Sequence, residues 1–547
     1  MLKKIYFAFT TRERLTFWVA LAIATVSGAI LLGLGFVKST HDVPALGGEY
    51  TEGALGEPVY INPVTASTDT DKGLVRLLFA NVSQLADKIE LSPDGRTWKV
   101  RLKENLHWQD GTKLTSDDAI FTIEKIQDKE TSSPLFTVWQ GVAADRLSEL
   151  EFQLSLVTPY AFFSDTLKNL YILPKRLFAD TPPANWRLSD YNLKPVGSGP
   201  YRFAGYEKRP DGFIYLYKLG AWDKYFGDTP HIETIDFRFF SQKTDLIQNF
   251  NAGQVDGIAG LETEDLIQIK RPYEEIPFRL PSYYAAFLNQ SKSLPLKDVA
   301  VREALSSAIS RENLINEALG GRGKETYGPI PPGTEYFNAA MESATTSLDF
   351  ASSTLDDAGW KMDADGIRKK TVKNAKIPLE LNLTAPQIKF LTKTAELLRD
   401  SWQKIGFKIN LAILPAENIS DEVIRNRDYE MLLFGNVLGR SLDLFSFWHS
   451  SERFYPGLNL SLYNSKKADS LIESIRQEMD DDKRKTEFGQ LENIIVNDYP
   501  AIFLYSPDYT YVASKNLHGA EEKLVAEPAD IFANAANWYL KTARVLK

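Results

Sequence analysis

From Leu15 to Val37 the chain reads LTFWVALAIATVSGAILLGLGFV, 23 residues without a charge. At about 1.5 Å per residue such a helix spans roughly 35 Å, enough for a hydrocarbon core of about 30 Å. The run therefore predicts one membrane-crossing helix. The next segment, STHDVPALGGEY, has proline and Gly-Gly breaks and reads as a short linker. Shorter periodic runs follow. In KIELSPDGRTWKVRLK, Ile89 and Leu91 precede a Pro-Asp-Gly turn, after which Trp98, Val100 and Leu102 alternate with Lys99, Arg101 and Lys103. That is a β-hairpin with one buried face. Asp110-Gly111 makes the next turn. Thr115 stands three residues before Asp118, a pairing that starts a helix, and Ala119, Ile120, Ile123 and Ile126 form its apolar stripe. The acidic residues of HWQDGTKLTSDDAIFTIEKI thus have turn and helix-starting work rather than catalytic work.

Further on, LTKTAELLRDSWQKIG places Leu391, Ala395, Leu398 and Trp402 on one helix face, and Gly406 ends it. FKINLAIL then alternates Phe407, Ile409, Leu411 and Ile413 inward. A polar, helix-like stretch from Ala416 to Arg425 leads to the strand-like YEMLLFG. This β-α-β pattern predicts an α/β fold with a parallel sheet. DVAVREALSSAISRENLINEALGG reads as two abutting helices, the second capped by Ser310 and ended by Gly320-Gly321. ADSLIESIRQEMDDDKRKTEFGQLENIIVNDYP is a helical pair broken near Asp480–Asp482.

Charge sets the direction of the first helix. Lys3, Lys4, Arg12, Arg14 and Lys38 against Glu13 give residues 1–38 a balance of +4, leaving −13 of the net −9 for the rest. A basic leading flank keeps the N-terminus cytoplasmic and puts the body outside. A cleaved signal peptide is the competing reading, but the apolar run is too long for one and no clear A-x-A site follows it. An acidic body argues against a nucleic-acid partner. There is no cysteine, which removes disulfides, thiolate nucleophiles and Cys-ligated metals. The five histidines, His41, His107, His231, His449 and His518, have no metal-ligand spacing. PVGSGPY, Pro195 to Tyr201, lacks the outer glycine of a nucleophile elbow, and Pro200 blocks the helix that must follow the serine; it reads as a tight turn. DADG at 363–366 lacks the remaining ligands of a calcium loop. No catalytic residue, metal site or cofactor is expected.

Ten stretches together resemble the family 5 extracellular solute-binding proteins of ABC importers, the dipeptide and oligopeptide type. In order they include YINPV at 60–64, LSPDGRTWKVRLKENLHWQDGTKLTSDDAIFTI at 91–123, PVGSGPYRF at 195–203, NAGQVDGI at 251–258, YYAAFLNQS at 283–291, VREALSSAISRENLI at 301–315 and YPAIFLYSPDYTYV at 499–512. The resemblance implies a two-lobed type II periplasmic-binding-protein fold with an extra subdomain. Residues 1–14 become a cytoplasmic tail, 15–37 the anchor and 38–45 the linker. Residues 46–75, 192–283 and 500–547 become the first lobe, 76–191 its extra subdomain, and 284–499 the second lobe. The chain is expected to cross between lobes near Tyr283 and near Pro500. The implied partners are a peptide or other small solute and the permease subunits of an importer with their ATPases, the protein itself being a monomer. Expected ligand contacts are Tyr283, Tyr284, Phe287 and Asn289 beside the first crossing, with Asn436, Arg440, Asp443 and Trp448 from LLFGNVLGRSLDLFSFWHS. That last region departs from the peptide binders, which hold the peptide ammonium with an aspartate: Val437 or Leu438 falls in its place, and Asp443 comes later. A non-peptide solute such as an oligosaccharide or metal complex, or an extracellular hydrolase, is the alternative.

Overall fold

The computed structural model describes residues 10–339, 347–521 and 524–546. The helix Thr11–Ser39 stands apart from the body. Glu13 and Thr10 close its first turn, with Thr10 N–H donating to Glu13 Oε2 at 2.7 Å. The most apolar 18-residue window of Thr11–Leu34 has a mean hydropathy of 2.2, and none of it is buried against protein. The following residues are not an irregular linker throughout. Thr40–Ala45 is a strand, paired antiparallel with Lys541–Leu546 near the other end of the chain. Local breaks suggested a loop, but a partner some 500 residues away satisfies the backbone.

The long strand Ala501–Ser514 organises the body. Its first half pairs with Ser282–Leu288 and Gly323–Glu325, and its second half with Gly257–Ala259 and Tyr273–Arg279. Outward from one half lie Met431–Val437, Glu380–Pro386 and Lys408–Leu414; outward from the other lie Glu49–Leu55, Thr234–Phe240, Ile214–Ala221 and Tyr201–Lys208. The chain changes sides at Leu280–Pro281, between two consecutive strands, and again near Pro507. Glu380–Pro386 runs parallel to both Lys408–Leu414 and Met431–Val437, as β-α-β units require.

Burial follows the periodicities. Leu391, Ala395, Leu398 and Trp402 form the buried stripe of the helix Lys389–Gln403, and Trp402 Nε1 donates to the Leu305 carbonyl at 2.8 Å. On that side of the second-lobe sheet also lie Val299–Ser307, Arg311–Leu319 and Leu348–Asp357; Lys466–Gln477 and Asp481–Asp498 cover the other. The helix-like stretch after Pro415 is helical from Ala416 to Ile424, widening beyond an α-helix after Asn418. Arg425 N–H reaches back five residues to the Ser420 carbonyl, 3.0 Å, with Ile419 and Val423 turned inward.

The extra subdomain is a four-stranded sheet, Ala86–Leu91, Thr97–Leu102, Glu151–Ser155 and Ala143–Arg146, carrying the helix Ser116–Gln127. Its Val100, Leu102 and Phe152 share one core with Tyr50 and Phe237 of the first lobe, so the two are welded together. The acidic residues of the opening motif have structural partners. Asp118 Oδ2 accepts Thr115 N–H at 3.0 Å and Oδ1 accepts Lys175 N–H at 2.9 Å. Asp110 Oδ1 accepts the Thr112 N–H at 3.0 Å and its hydroxyl at 2.7 Å. PVGSGPY is a turn pressed against the end of the helix Asp69–Leu78. Gln109 pins it, accepting Gly197 N–H at 3.0 Å and donating to the Tyr201 carbonyl at 2.7 Å. Ser198 Oγ accepts Ala80 N–H at 3.1 Å and is fully buried, so it is no nucleophile.

Beneath the first-lobe sheet, Tyr511 donates to Glu52 Oε2 at 2.6 Å, and the Tyr50 and Tyr511 hydroxyls meet at 2.6 Å. Burial raises the Glu52 carboxyl from 4.5 to about 8. Between those values the unfolded chain releases a proton that the folded chain keeps, so stability falls as pH rises. The slope is up to about 1.4 kcal/mol per pH unit. Glu52→Gln should remove that component. Urea unfolding at pH 5, 6.5 and 8 checks this: the variant is expected to lose less stability than wild type across the series.

Candidate functional site

The two lobes are joined where Tyr273–Arg279 passes into Ser282–Leu288 and along the neighbouring strand Ala501–Ser514, and touch again to either side of them. On one side Tyr283, Ala285, Phe287 and Phe503 face one second-lobe core; Ala286 and Leu288 face the other, with Tyr284 packed against it. Tyr283 and Phe287 are buried because a central strand is covered on both faces.

Two polar bridges span the gap on the Tyr283 side; on the other, Lys389 pairs with Glu264 at 2.9 Å and Thr263 Oγ1 donates to the Leu319 carbonyl at 2.9 Å. Arg440, just beyond the strand Met431–Val437, donates from Nη2 to Asp530 Oδ2 at 2.7 Å. Asp530 belongs to the C-terminal helical turns and is 6% exposed. It also accepts Arg76 Nε at 2.9 Å and Ala526 N–H at 3.1 Å. Arg76 pairs in turn with Glu527, which Lys72 also reaches at 2.7 Å. Arg76 and Lys72 come from the helix Asp69–Leu78, so this network belongs to the first lobe, and Arg440 is its connection to the second. The other bridge ties the extra subdomain to the second lobe. Tyr160 donates to Asp443 Oδ2 at 2.9 Å, and Arg476 Nε lies 3.0 Å from the same oxygen. Ala161 N–H donates to the Arg476 carbonyl at 2.7 Å. Burial and the Asp443 charge push the Tyr160 hydroxyl well above its ordinary range, so it stays a donor.

Three hollows adjoin these contacts. One of about 430 Å³ lies between subdomain and second lobe, with Val138, Val157, Tyr160, Asp443, Glu473 and Arg476 in its walls. One of about 170 Å³ borders Arg440 and Asp530, with Phe278, Val525 and Trp538 nearby. The third, about 270 Å³, is on the opposite face of the crossing strands, between Leu261, Tyr284, Leu319, Phe390 and Val437.

The expected contact residues therefore fall into three groups. Arg440 and Asp443 stand at the lobe interface, each already paired across it. Tyr283, Asn436 and Trp448 form a buried cluster: the tyrosine hydroxyl accepts Asn436 Nδ2 at 2.8 Å and Trp448 Nε1 at 3.1 Å, with Phe287 and Phe503 packed on the Trp448 ring. Asn289 is buried at the far end of its strand, bonding the Arg427 carbonyl at 3.2 Å and Ser291, and Tyr284 lies on the opposite face. Asp443 Oδ1 also accepts Phe445 N–H at 3.0 Å, starting the short helix Phe445–Trp448. Spacing singled out none of Arg76, Tyr160, Arg476 or Asp530. The available hint was Arg76, an arginine inside the apolar run Leu74–Leu78, where a buried cation requires an acid.

Two lobes on a two-strand hinge, with an extra subdomain on the first, define a type II binding-protein fold. The profile of the bacterial extracellular solute-binding proteins, family 5 (middle region), matches residues 81–453, and the chain belongs to that family. The oligopeptide-binding protein AppA of Bacillus subtilis is 24% identical over 522 residues, covering 92% of this chain and 93% of AppA. Among solved structures, the ABC transporter substrate-binding protein CtaP of Listeria monocytogenes superposes with a TM-score of 0.77 at 23% identity, covering 90% of this chain and 99% of CtaP. AppA from B. subtilis with a bound nonapeptide gives 0.66 at 24%, covering 91% and 100%.

Proposed function

We propose that this protein is the extracytoplasmic solute-binding component of an ABC importer, a clamp that captures peptides between its lobes and hands them to a membrane permease. The observation that carries the reading is the pair of bridges, Arg440–Asp530 and Tyr160–Asp443, made between bodies joined by two adjacent strand crossings. Contacts of that kind exist only when the lobes are together. A ligand touching both lobes favours the same state and shifts the population towards it. The similarity to AppA supports peptide as the ligand. Arg440, Asp443 and Tyr160 line the gripping surface, while Tyr283, Phe287 and Trp448 form its rigid floor. Native mass spectrometry of protein purified from its source tests the ligand: a ladder of peptide masses is expected, and a single small glycan or metal complex would overturn it. The non-peptide reading rests on one observation, Val437 or Leu438 falling where peptide binders carry an aspartate.

The helix Thr11–Ser39 holds the body at the outer face of the cytoplasmic membrane, N-terminus inside. This tethering raises its concentration near the permease. Full-length protein should stay with membranes through an alkaline carbonate wash, and a chain lacking residues 1–39 should be found in the soluble fraction. Recovery of the full-length chain in the wash would contradict the anchor.

A further inference from the structure

Away from the interlobe surface, a cavity of about 270 Å³ opens at the edge of the second-lobe sheet, where Ala501 and Phe503 flank it. Gly323–Glu325 pairs only with Tyr505–Pro507, so the sheet edge beyond is left to side chains. Ser306 and Ser307 end one helix at the cavity, Arg311 begins the next, and Tyr499 closes a third.

Arg311 is 3% exposed and has no carboxylate within ion-pair distance among the described residues. Its Nε donates to the carbonyls of Phe503 at 2.9 Å and Thr326 at 3.1 Å, and Nη2 to Ser306 Oγ at 3.3 Å. Its guanidinium carbon lies 4.2 Å from the centre of the Tyr327 ring. Nη1, also buried, has no acceptor. Burial lowers the guanidinium pKa to about 10, so it is still charged at neutral pH. A buried charge lacking an acid in contact, with an unused N–H, is a costly arrangement for structure alone. Nε fastens the sheet edge and Nη2 the helix end; the N–H groups of Nη1 serve neither. The cavity wall also carries one acid, Glu303, and two apolar side chains, Phe350 and Val496.

We propose that this cavity is a second binding site, distinct from the interlobe surface, for a free apolar amino acid. The carboxylate takes Arg311 Nη1, the ammonium takes Glu303, and the side chain rests on Phe350 and Val496. A simple anion satisfies the arginine but is repelled by Glu303, whereas a zwitterion satisfies both. The site rests on Arg311 and its cavity, independently of what the lobes clasp.

Calorimetric titration of the intact protein with L-phenylalanine, 3-phenylpropionate and 2-phenylethylamine tests it. One L-phenylalanine per chain is expected, with either analogue at least tenfold weaker. Ser307→Trp, which adds bulk at the cavity wall, should abolish that binding and leave peptide binding intact. Glu303→Gln should weaken L-phenylalanine at least tenfold and narrow its margin over 3-phenylpropionate. Absence of saturable binding to wild type would overturn the proposal, as would undiminished binding in Ser307→Trp or an unchanged margin in Glu303→Gln.

Discussion

Asp530→Ala should cost about 3 kcal/mol or more of folding stability and weaken ligand binding as well. Asp530 is nearly fully buried and holds two guanidinium groups, Arg76 from its own lobe and Arg440 from the other. Removing it leaves Arg76, 7% exposed, with only the more exposed Glu527 as an anion partner. Breaking one side of a buried pair is far costlier than the pair's net contribution, because the remaining charge stays desolvated. Arg440→Ala separates the two effects. Its side chain is 30% exposed, and its loss leaves the Arg76–Asp530 pair in place. Stability should then change by less than about 1 kcal/mol, while ligand affinity falls several-fold because the closed state has lost a contact. Urea unfolding and peptide titration on the two variants check this. Equal losses of stability would mean that Arg440 is part of the first-lobe core instead of a bridge.

Gly197→Ala should be still more damaging. A methyl group at Gly197 would lie 1.7 Å from the Leu78 carbonyl oxygen, a backbone atom that cannot swing away. The PVGSGPY turn is pinned there by Gln109 and by the Ser198–Ala80 bond, so strain has no easy outlet. A loss above about 3 kcal/mol is expected, at the upper end of overpacking costs. Gly489, inside the helix Asp481–Asp498, has nothing within 4 Å of the same methyl position. Gly489→Ala should therefore stabilise by about 0.8 kcal/mol through helix propensity. Thermal or denaturant unfolding of both variants measures the contrast, and a neutral Gly197→Ala would show that the turn is looser than its contacts imply.

The local features were legible in the sequence because their causes are local. The buried stripe of Lys389–Gln403, the Thr115–Asp118 helix start, the tight turn at PVGSGPY and the long apolar N-terminal helix each follow from residues a few positions apart. What joins distant segments was not. Arg440 and Asp530 are 90 residues apart, Tyr160 and Asp443 are 283, and Arg76 and Asp530 are 454. No spacing rule reaches across such gaps. The same limit hid the pairing of Thr40–Ala45 with Lys541–Leu546. Tyr283 and Phe287 stand beside the first crossing, but their strand is central and both its faces are covered, so its aromatics are buried. The resemblance to a family identified the kind of machine, and the side chains that bridge it emerged only from the fold.

The clamp itself is tested most directly by a distance between its halves. The chain has no cysteine, so Asp180→Cys on the extra subdomain and Lys467→Cys on the second lobe, both exposed, accept a donor and acceptor dye without background labelling. Addition of a defined peptide mixture should shift energy transfer in one saturable step, with every bound peptide recovered at its original mass. Peptide binding with no change in transfer, or recovery of shortened peptides, would contradict a protein that closes on its solute and releases it unaltered.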